Sequence, residues 1–291
     1  MDAFANECIY EILLFLDPKC LQLCAQVNSN FYNLCNLQSV WRNHIDEEYN
    51  ILFKKKHYSD TFKIYYELDK LNRKLYGYLF SIKRLYNLET LVIYNLSYQD
   101  HNFEYFSLTK EPMEMPSEIK HLKNLRKLSA YGSRLIKIPK EIGQLTKLRY
   151  LDLNNNELSE IPAEIGCLIN LEHLSIADNK LQKLPSEICK LTNLKYLFLS
   201  NNQLKKMPSK VGQLTNLTDL WLGRNQLTQI PSSIRKLTNL FSLHLYYNHL
   251  TELPLEITQL TKLQALQLSG NESLKISPEI KKMSNLQTFH Y

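Results

Sequence analysis

With 291 residues, 44% of them hydrophobic and only seven glycines, the chain has the material for a large core and is neither disordered nor fibrous. Its 35 basic and 29 acidic side chains leave a net charge of +6, divided as 11 and 10 over residues 1–87 and 24 and 19 over the remainder, without the concentration that nucleic-acid binding calls for. No apolar run approaches the ~20 residues of a membrane span. Met1 to Cys8 holds Asp2 and Glu7 and no basic leader, and the six cysteines (Cys8, Cys20, Cys24, Cys35, Cys167 and Cys189) form no CxxC pair, so the expected setting is cytoplasmic, with free thiols.

The first element runs from Phe4 to Trp41, FANECIYEILLFLDPKCLQLCAQVNSNFYNLCNLQSVW, and its apolar spacing is helical. Ile9, Ile12, Leu13 and Leu16 share one helical face. Asp17 and Pro18 stop that helix and open a second, in which Leu21, Cys24 and Ala25 face inward, and Asn28 or Ser29 starts a third that bears Phe31 and Leu34. Because Ile12 to Leu16 are apolar without interruption, the first helix is greasy on more than one face, and one face is left for a partner. After this module (1–45), the segment 46–87 carries Phe62, Tyr65, Leu68, Leu71 and Leu75 at helical spacing and is expected to be a structural linker.

The Phe4–Trp41 segment resembles an F-box, whose usual pattern runs LPxEhhxxIhxxLxxxxLhxhxxVxxxFxxhxxxxxxW. Phe4 and Ala5 stand where the family has its leading Leu-Pro, Glu7 provides the acid, Ile12 the isoleucine, and Leu16, Leu21, Val27, Phe31 and Trp41 the later anchors. The resemblance implies a docking module for the SKP-type adaptor of an SCF ubiquitin ligase, and through it a cullin. The docking side chains it implies are Phe4, Ala5, Ile9, Ile12, Leu13, Leu16, Leu21, Val27, Phe31 and Trp41.

From Leu125 a leucine recurs every 23 residues, at Leu148, Leu171, Leu194, Leu217, Leu240, Leu263 and Leu286. The units follow LxxLxLxxNxLxx(I/L/M)PxxIxxLxx, the pattern of a leucine-rich repeat, until NESLKISPEI shifts one leucine by a position and loses the IP pair. Leucines at the fourth and sixth positions alternate with polar residues, the period-2 sign of a short strand with one buried face, so stacked repeats make a parallel sheet. The asparagines Asn156, Asn179, Asn202, Asn225, Asn248 and Asn271 are expected to satisfy backbone groups where each strand bends. Pro139, Pro162, Pro185, Pro208, Pro231 and Pro254 are expected to precede a helix-like half turn, where a proline at the first position is tolerated, and Gly143, Gly166 and Gly212 read as packing residues. The whole is expected to be an α/β fold: a short three-helix module and helical linker, then a leucine-rich-repeat horseshoe over 88–291 with its parallel sheet on the concave face. An irregular first repeat (88–124) carries the insertion YQDHNFEYFSLTKEPME, seven regular repeats fill 125–285, and a partial strand ends the chain at 286–291.

Positions three, five, seven and eight of each repeat face the inside of the arc and are free to vary. They supply the candidate target-binding residues Tyr131, Tyr150, Asp152, His173, Tyr196, Phe198, Asp219, Trp221, Arg224, His244, Tyr246 and Tyr247. The ladder Tyr150, Tyr196, Phe198, Trp221, His244 and Tyr246 is expected to cover roughly 25 Å at ~4.8 Å per strand, a protein-binding hot spot by its Trp, Phe and Tyr content. HExxH, GxxxxGK(S/T), GxSxG and CxxC are all missing from the sequence, so neither catalytic nor metal-binding residues are assigned and no cofactor is expected.

The favoured reading is therefore a non-catalytic receptor that holds a target protein for a ubiquitin ligase. A scaffold or effector with a degenerate F-box is the alternative, and an enzyme is the weakest. Since the 23-residue units resemble those of Ras-binding-type repeats and bacterial effectors, and the Asn, Lys, Ile and Tyr richness suits an AT-rich genome, a bacterial effector working in the host cytosol is also entertained.

Overall fold

The computed structural model describes residues 89–93 and 112–291. The helical module of 1–45, the linker, the ten docking side chains from Phe4 to Trp41 and most of the insertion lie outside these residues.

Each repeat contributes one three-residue strand: β1 (Thr90–Val92), β3 (Lys127–Ser129), β5 (Tyr150–Asp152), β6 (His173–Ser175), β7 (Tyr196–Phe198), β8 (Asp219–Trp221), β9 (Ser242–His244), β10 (Ala265–Gln267) and β11 (Thr288–His290). They form one parallel sheet in chain order, while β2 (Met113–Glu114) and β4 (Leu135–Lys137) make a second, two-stranded parallel pair. The register carries the sequence period directly: Leu128 pairs with Leu151, Leu151 with Leu174, and so on to Leu266 with Phe289. The one longer step is Thr90 to Lys127, where the 37-residue first repeat enters the same sheet.

Alternation buries one side of every strand. Leu151, Leu174, Leu197, Leu220 and Leu243 at the fourth position, with Leu153, Ile176, Leu199, Leu222 and Leu245 at the sixth, are at most 1% exposed. A fully buried Leu or Ile contributes on the order of 1.5–3 kcal/mol, so stacking identical rungs is what makes a three-residue strand stable. Phe289 replaces the fourth-position leucine on β11 and is only half-buried, because the sheet has no further strand beyond it among the described residues.

Where each strand bends, the expected asparagine ladder is present. Asn156 Nδ2 donates to the carbonyls of Ala130 (2.7 Å) and Leu153 (2.9 Å), and its Oδ1 accepts from Leu135 N (2.9 Å). The same set recurs at Asn179, Asn202, Asn225, Asn248 and Asn271. In the first regular repeat the ninth position is Ser133, whose buried hydroxyl donates to Ile93 O at 2.8 Å and does part of the same task.

On the opposite side the chain returns through short 3-10 turns such as Lys140–Gln144, Ala163–Cys167 and Ser186–Lys190. The prolines precede these turns, as expected. Pro139, Pro162, Pro185, Pro231 and Pro254 occupy the N-cap in extended geometry, with the carbonyl accepting from the residue three ahead, as Pro139 O does from Ile142 N at 3.0 Å. A proline lacks an N–H but keeps its carbonyl, so it serves as well before the turn as within it. Pro208 O likewise accepts from Val211 N at 3.0 Å, although the 3-10 turn there begins only at Val211. At Pro278, where the pattern has slipped by a residue, proline does take the first helical position of a four-residue helix, behind the cap Ser277. The packing role of the glycines follows from space: a Cβ on Gly143, Gly166 or Gly212 would lie 2.6 Å or less from a carbonyl oxygen of the neighbouring repeat.

Candidate functional site

The open face of the sheet carries the side chains that alternate away from the core. Third- and fifth-position residues project from the strands themselves. Eighth-position residues stand just beyond them, where the chain turns so that the ninth-position asparagine can enter the core.

That turn requires a left-handed backbone. The residues at this position are Gly132, Asn155, Asp178, Asn201, Arg224, Tyr247 and Gly270, all with φ between 50° and 74°. Glycine, asparagine and aspartate tolerate this conformation, whereas Arg224 and Tyr247 bear the strain of a large side chain there, about 1 kcal/mol or more each. Two adjacent repeats therefore hold bulky groups at the edge of the face against local preference.

The candidate aromatic residues form one connected series of rings. Tyr150 stacks on His173 with centroids 4.5 Å apart, and His173 meets Phe198 edge-on at 5.2 Å. Tyr196 flanks both His173 and Phe198. Phe198 then contacts Trp221 at 4.4 Å, Trp221 lies parallel to His244 at 4.9 Å, and His244 leads to Tyr246 and Tyr247. Arg224 closes the series, its guanidinium carbon 5.0 Å from the Tyr247 ring centre. His173 is the rung that turns separate aromatics into a continuous surface. The span is shorter than the expected 25 Å, because the five strands β5–β9 enclose four gaps, about 19 Å at 4.8 Å each. Tyr131 remains outside the series: it is half exposed and makes no ring contact among the described residues.

The surface is wet, not buried. Trp221 is 36% exposed, Tyr196 39% and Tyr247 57%. Adjacent aromatic rungs of this extent are unusual on a sheet that meets only water.

Two glycines that the sequence reading did not single out set the ring positions. A Cβ on Gly223 would lie 2.3 Å from Tyr246, and one on Gly270 would lie 2.4 Å from Tyr247. Each tyrosine therefore lies over the bare backbone of the adjacent repeat. The signal was in the register: Gly223 and Tyr246 are one repeat apart, as are Tyr247 and Gly270.

Charge on this face is ordered by local hydrogen bonds. Asp152 Oδ1 accepts from Asn154 N at 3.0 Å, Asp178 Oδ1 accepts from the Asn201 amide, and Asp219 Oδ2 accepts from the Thr218 hydroxyl at 2.7 Å. Asn154 Oδ1 accepts from the Ser175 hydroxyl at 2.7 Å and from Ala177 N, fixing the next repeat's polar rim. Burial, and then the nearby Asp152, push the Tyr150 phenol pKa up. Burial holds the His173 and His244 imidazoles below the usual histidine range, against the pull of Asp152 and Asp219 respectively, so both are neutral at pH 7.

Among the described residues no group of three or more His, Cys, Asp and Glu side chains is placed to hold a metal ion. The thiol of Cys189 is buried and its pKa is pushed up to about 11, so it is an inert packing group. No helix among the described residues is long and apolar enough to cross a membrane.

A family model described as a leucine-rich repeat region matches residues 139–224 and 187–291, together more than half of the chain, and an F-box domain model matches residues 4–43. Modules of these two kinds are typically used for interaction. Among solved structures, a leucine-rich-repeat protein of Leptospira interrogans is 37% identical over 61% of this chain and 51% of its own, with a TM-score of 0.52. A TDR receptor is 31% identical over 61% of this chain and 32% of its own, with a TM-score of 0.55. The matched part thus spans about half of the first of these and about a third of the second. Internalin C2 of Listeria monocytogenes, 21% identical over 76% of this chain and 90% of its own with a TM-score of 0.59, shares the fold. No curated protein matches the chain at the same stringency.

Proposed function

Because the chain belongs to the leucine-rich-repeat proteins and carries an F-box, we propose that it is a non-catalytic substrate receptor of an SCF-type ubiquitin ligase. The F-box docks the SKP-type adaptor, and through it the cullin, while the ring series from Tyr150 to Tyr247 holds the target protein. The observation that carries this reading is the pairing on one chain of an F-box match with a repeat sheet whose open face presents connected, partly exposed rings. Burying Trp221 and its neighbours against a partner gives large apolar area at small entropic cost, which is how a few residues dominate an interface. Ubiquitin transfer itself belongs to the partner subunits.

Residues 1–45 form the docking module in this reading, 46–87 the linker and 88–291 the target-binding repeats. The chain works in the cytosol, and in a host's cytosol if a bacterium delivers it. Likeness to a repeat protein of Leptospira interrogans supports that origin.

Ala5, where the F-box pattern has proline, favours a second reading: a scaffold whose F-box no longer grips the adaptor. Co-expression of the full chain with a SKP-type adaptor decides between them. Co-elution that is lost in the Ile12→Asp, Leu13→Asp double variant supports the receptor, and failure of the wild type to co-elute supports the scaffold. Ubiquitylation of a captured target by the reconstituted ligase then tests the receptor role directly.

A further inference from the structure

The charges on the open face are distributed against the trend of the molecule. The chain as a whole is +6, yet from β5 to β7 the face positions hold Asp152 and Asp178 and no basic side chain, and β8 adds Asp219. The basic groups on the face lie beyond this stretch: Lys127 is on β3, and Arg224 follows β8 and is turned onto the Tyr247 ring. Outside the face, several of the acidic groups are paired. Glu172 bonds both Arg149 and Lys195, and Glu157 bonds Lys180. None of Asp152, Asp178 and Asp219 takes part in a salt bridge among the described residues; each accepts only from a neutral donor. Asp152 acts on Tyr150 and His173, and Asp219 acts on His244, so two of these carboxylates lie beside the rings themselves.

Uncompensated carboxylates beside exposed electron-rich faces favour one kind of occupant. Lys and Arg side chains gain from the ring quadrupole, with Trp the strongest partner, and from the carboxylate at the same time. Resting on the reading of this face as the target-binding surface, we propose that the β5–β8 stretch docks an extended cationic segment of the target protein, its Lys or Arg side chains lying over Phe198 and Trp221 with their charges toward Asp152, Asp178 and Asp219. The three gaps from β5 to β8 amount to about 14 Å, the length of roughly four residues of extended chain at ~3.3 Å each. The surplus of positive charge elsewhere opposes such a ligand. At physiological salt the screening length is ~8 Å, so the local carboxylates decide the outcome and the distant surplus does not.

The test uses the full chain and a displayed library of random dodecapeptides. Peptides are selected on the wild type after depletion on the Phe198→Ala, Trp221→Ala variant, so that only ligands of the ring face survive. Enrichment of Lys and Arg is expected. Binding of the enriched peptides, read by anisotropy, is expected to fall at least tenfold in Asp152→Asn, Asp178→Asn, Asp219→Asn, and to weaken as salt is raised. Asparagine keeps the oxygen that accepts from Asn154 N, Asn201 and Thr218, so this variant removes charge and leaves the local bonding in place. Enrichment of neutral or acidic peptides, an unchanged affinity in the triple asparagine variant, or no ring-dependent peptide at all overturns the proposal. The receptor reading fails separately, on adaptor co-elution, and ring-dependent selection of uncharged peptides leaves it standing while removing the cationic segment.

Discussion

Replacing Asn202 by alanine tests whether the asparagine ladder holds the repeats together. The side chain is buried; its Oδ1 accepts from Leu181 N at 3.0 Å, and its Nδ2 donates to Ile176 O at 2.8 Å and Leu199 O at 3.1 Å. A fourth, longer bond runs to Ser200 O at 3.4 Å, which also accepts from Asp178 N, and the other three partners are not equally exposed to the loss. Leu199 O keeps a bond from Asn225 Nδ2 at 3.0 Å, and Ile176 O keeps a longer one from Asn179 Nδ2 at 3.4 Å. Leu181 N has no other acceptor, so it becomes an orphaned buried donor at a cost of about 1–3 kcal/mol, to which the two weakened carbonyls add about 0.5–1.5 kcal/mol each. The expected destabilisation is thus about 2–6 kcal/mol, towards the lower end because both carbonyls keep a bond; at about 3 kcal/mol, Tm falls by roughly 6–12 °C for a repeat region of this size. Asn193→Ala is the matched control: its side chain also bonds a backbone carbonyl of the preceding repeat, Ile169 O at 2.8 Å, but at an exposed site. It should cost only about 0.5 kcal/mol, water replacing the lost partner. Urea melts of both variants followed by far-UV circular dichroism give the comparison. A difference smaller than about 1 kcal/mol would refute the internal role assigned to the ladder.

Other consequences concern the open face. Phe198→Ala with Trp221→Ala is expected to leave the far-UV spectrum and the melting transition close to wild type while abolishing target capture in a pull-down, and intact capture would remove the hot spot from these rings. Gly223→Ala places a methyl 2.3 Å from the Tyr246 ring, which must swing aside; near-UV circular dichroism should change at a stability cost of about 1 kcal/mol, with capture weakened. His173 and His244 have folded-state pKa values depressed by burial, so the unfolded chain binds protons more readily at these sites. Their contribution is complete above the ordinary histidine range and is lost as pH falls through the folded values. Urea midpoints measured from pH 7.5 down to pH 5 should fall less steeply in His173→Gln, His244→Gln than in the wild type, and parallel curves would contradict the burial.

How much of this was written in the sequence depends on whether a feature is set by one position or by two. The buried leucines, the asparagine ladder and the parallel register each follow from a residue type at a fixed place in a 23-residue period, and all are present in the structure. Burial of the packing glycines was readable for the same reason, since Gly143, Gly166 and Gly212 share one place. The place of the prolines before each turn was readable too, while the bond that their carbonyls accept there was not. Ring contacts are different in kind. Whether His173 joins Tyr150 to Phe198 depends on side-chain rotamers in three repeats at once, and no single-position pattern contains that.

The same distinction explains where this solenoid can specialise. A framework leucine is held by equivalent neighbours above and below, so changing one rung damages its neighbours too. At the seventh and eighth positions the neighbour is a variable residue, and repeats diverge in complementary pairs: Gly223 makes room for Tyr246, and Gly270 for Tyr247. Arg224 and Tyr247 go further and hold left-handed backbone that glycine, asparagine and aspartate hold elsewhere in the series. Strain of this sort does nothing for stacking, which the other repeats achieve without it. It sets a guanidinium over a phenol ring at the rim of the aromatic face before any partner arrives, so the rotamer entropy an interface would otherwise lose on binding is partly spent during folding. Restoring asparagine at both positions should then stabilise the fold by about 1–2 kcal/mol while slowing or weakening capture, a trade in opposite directions that a purely structural role for the pair does not produce.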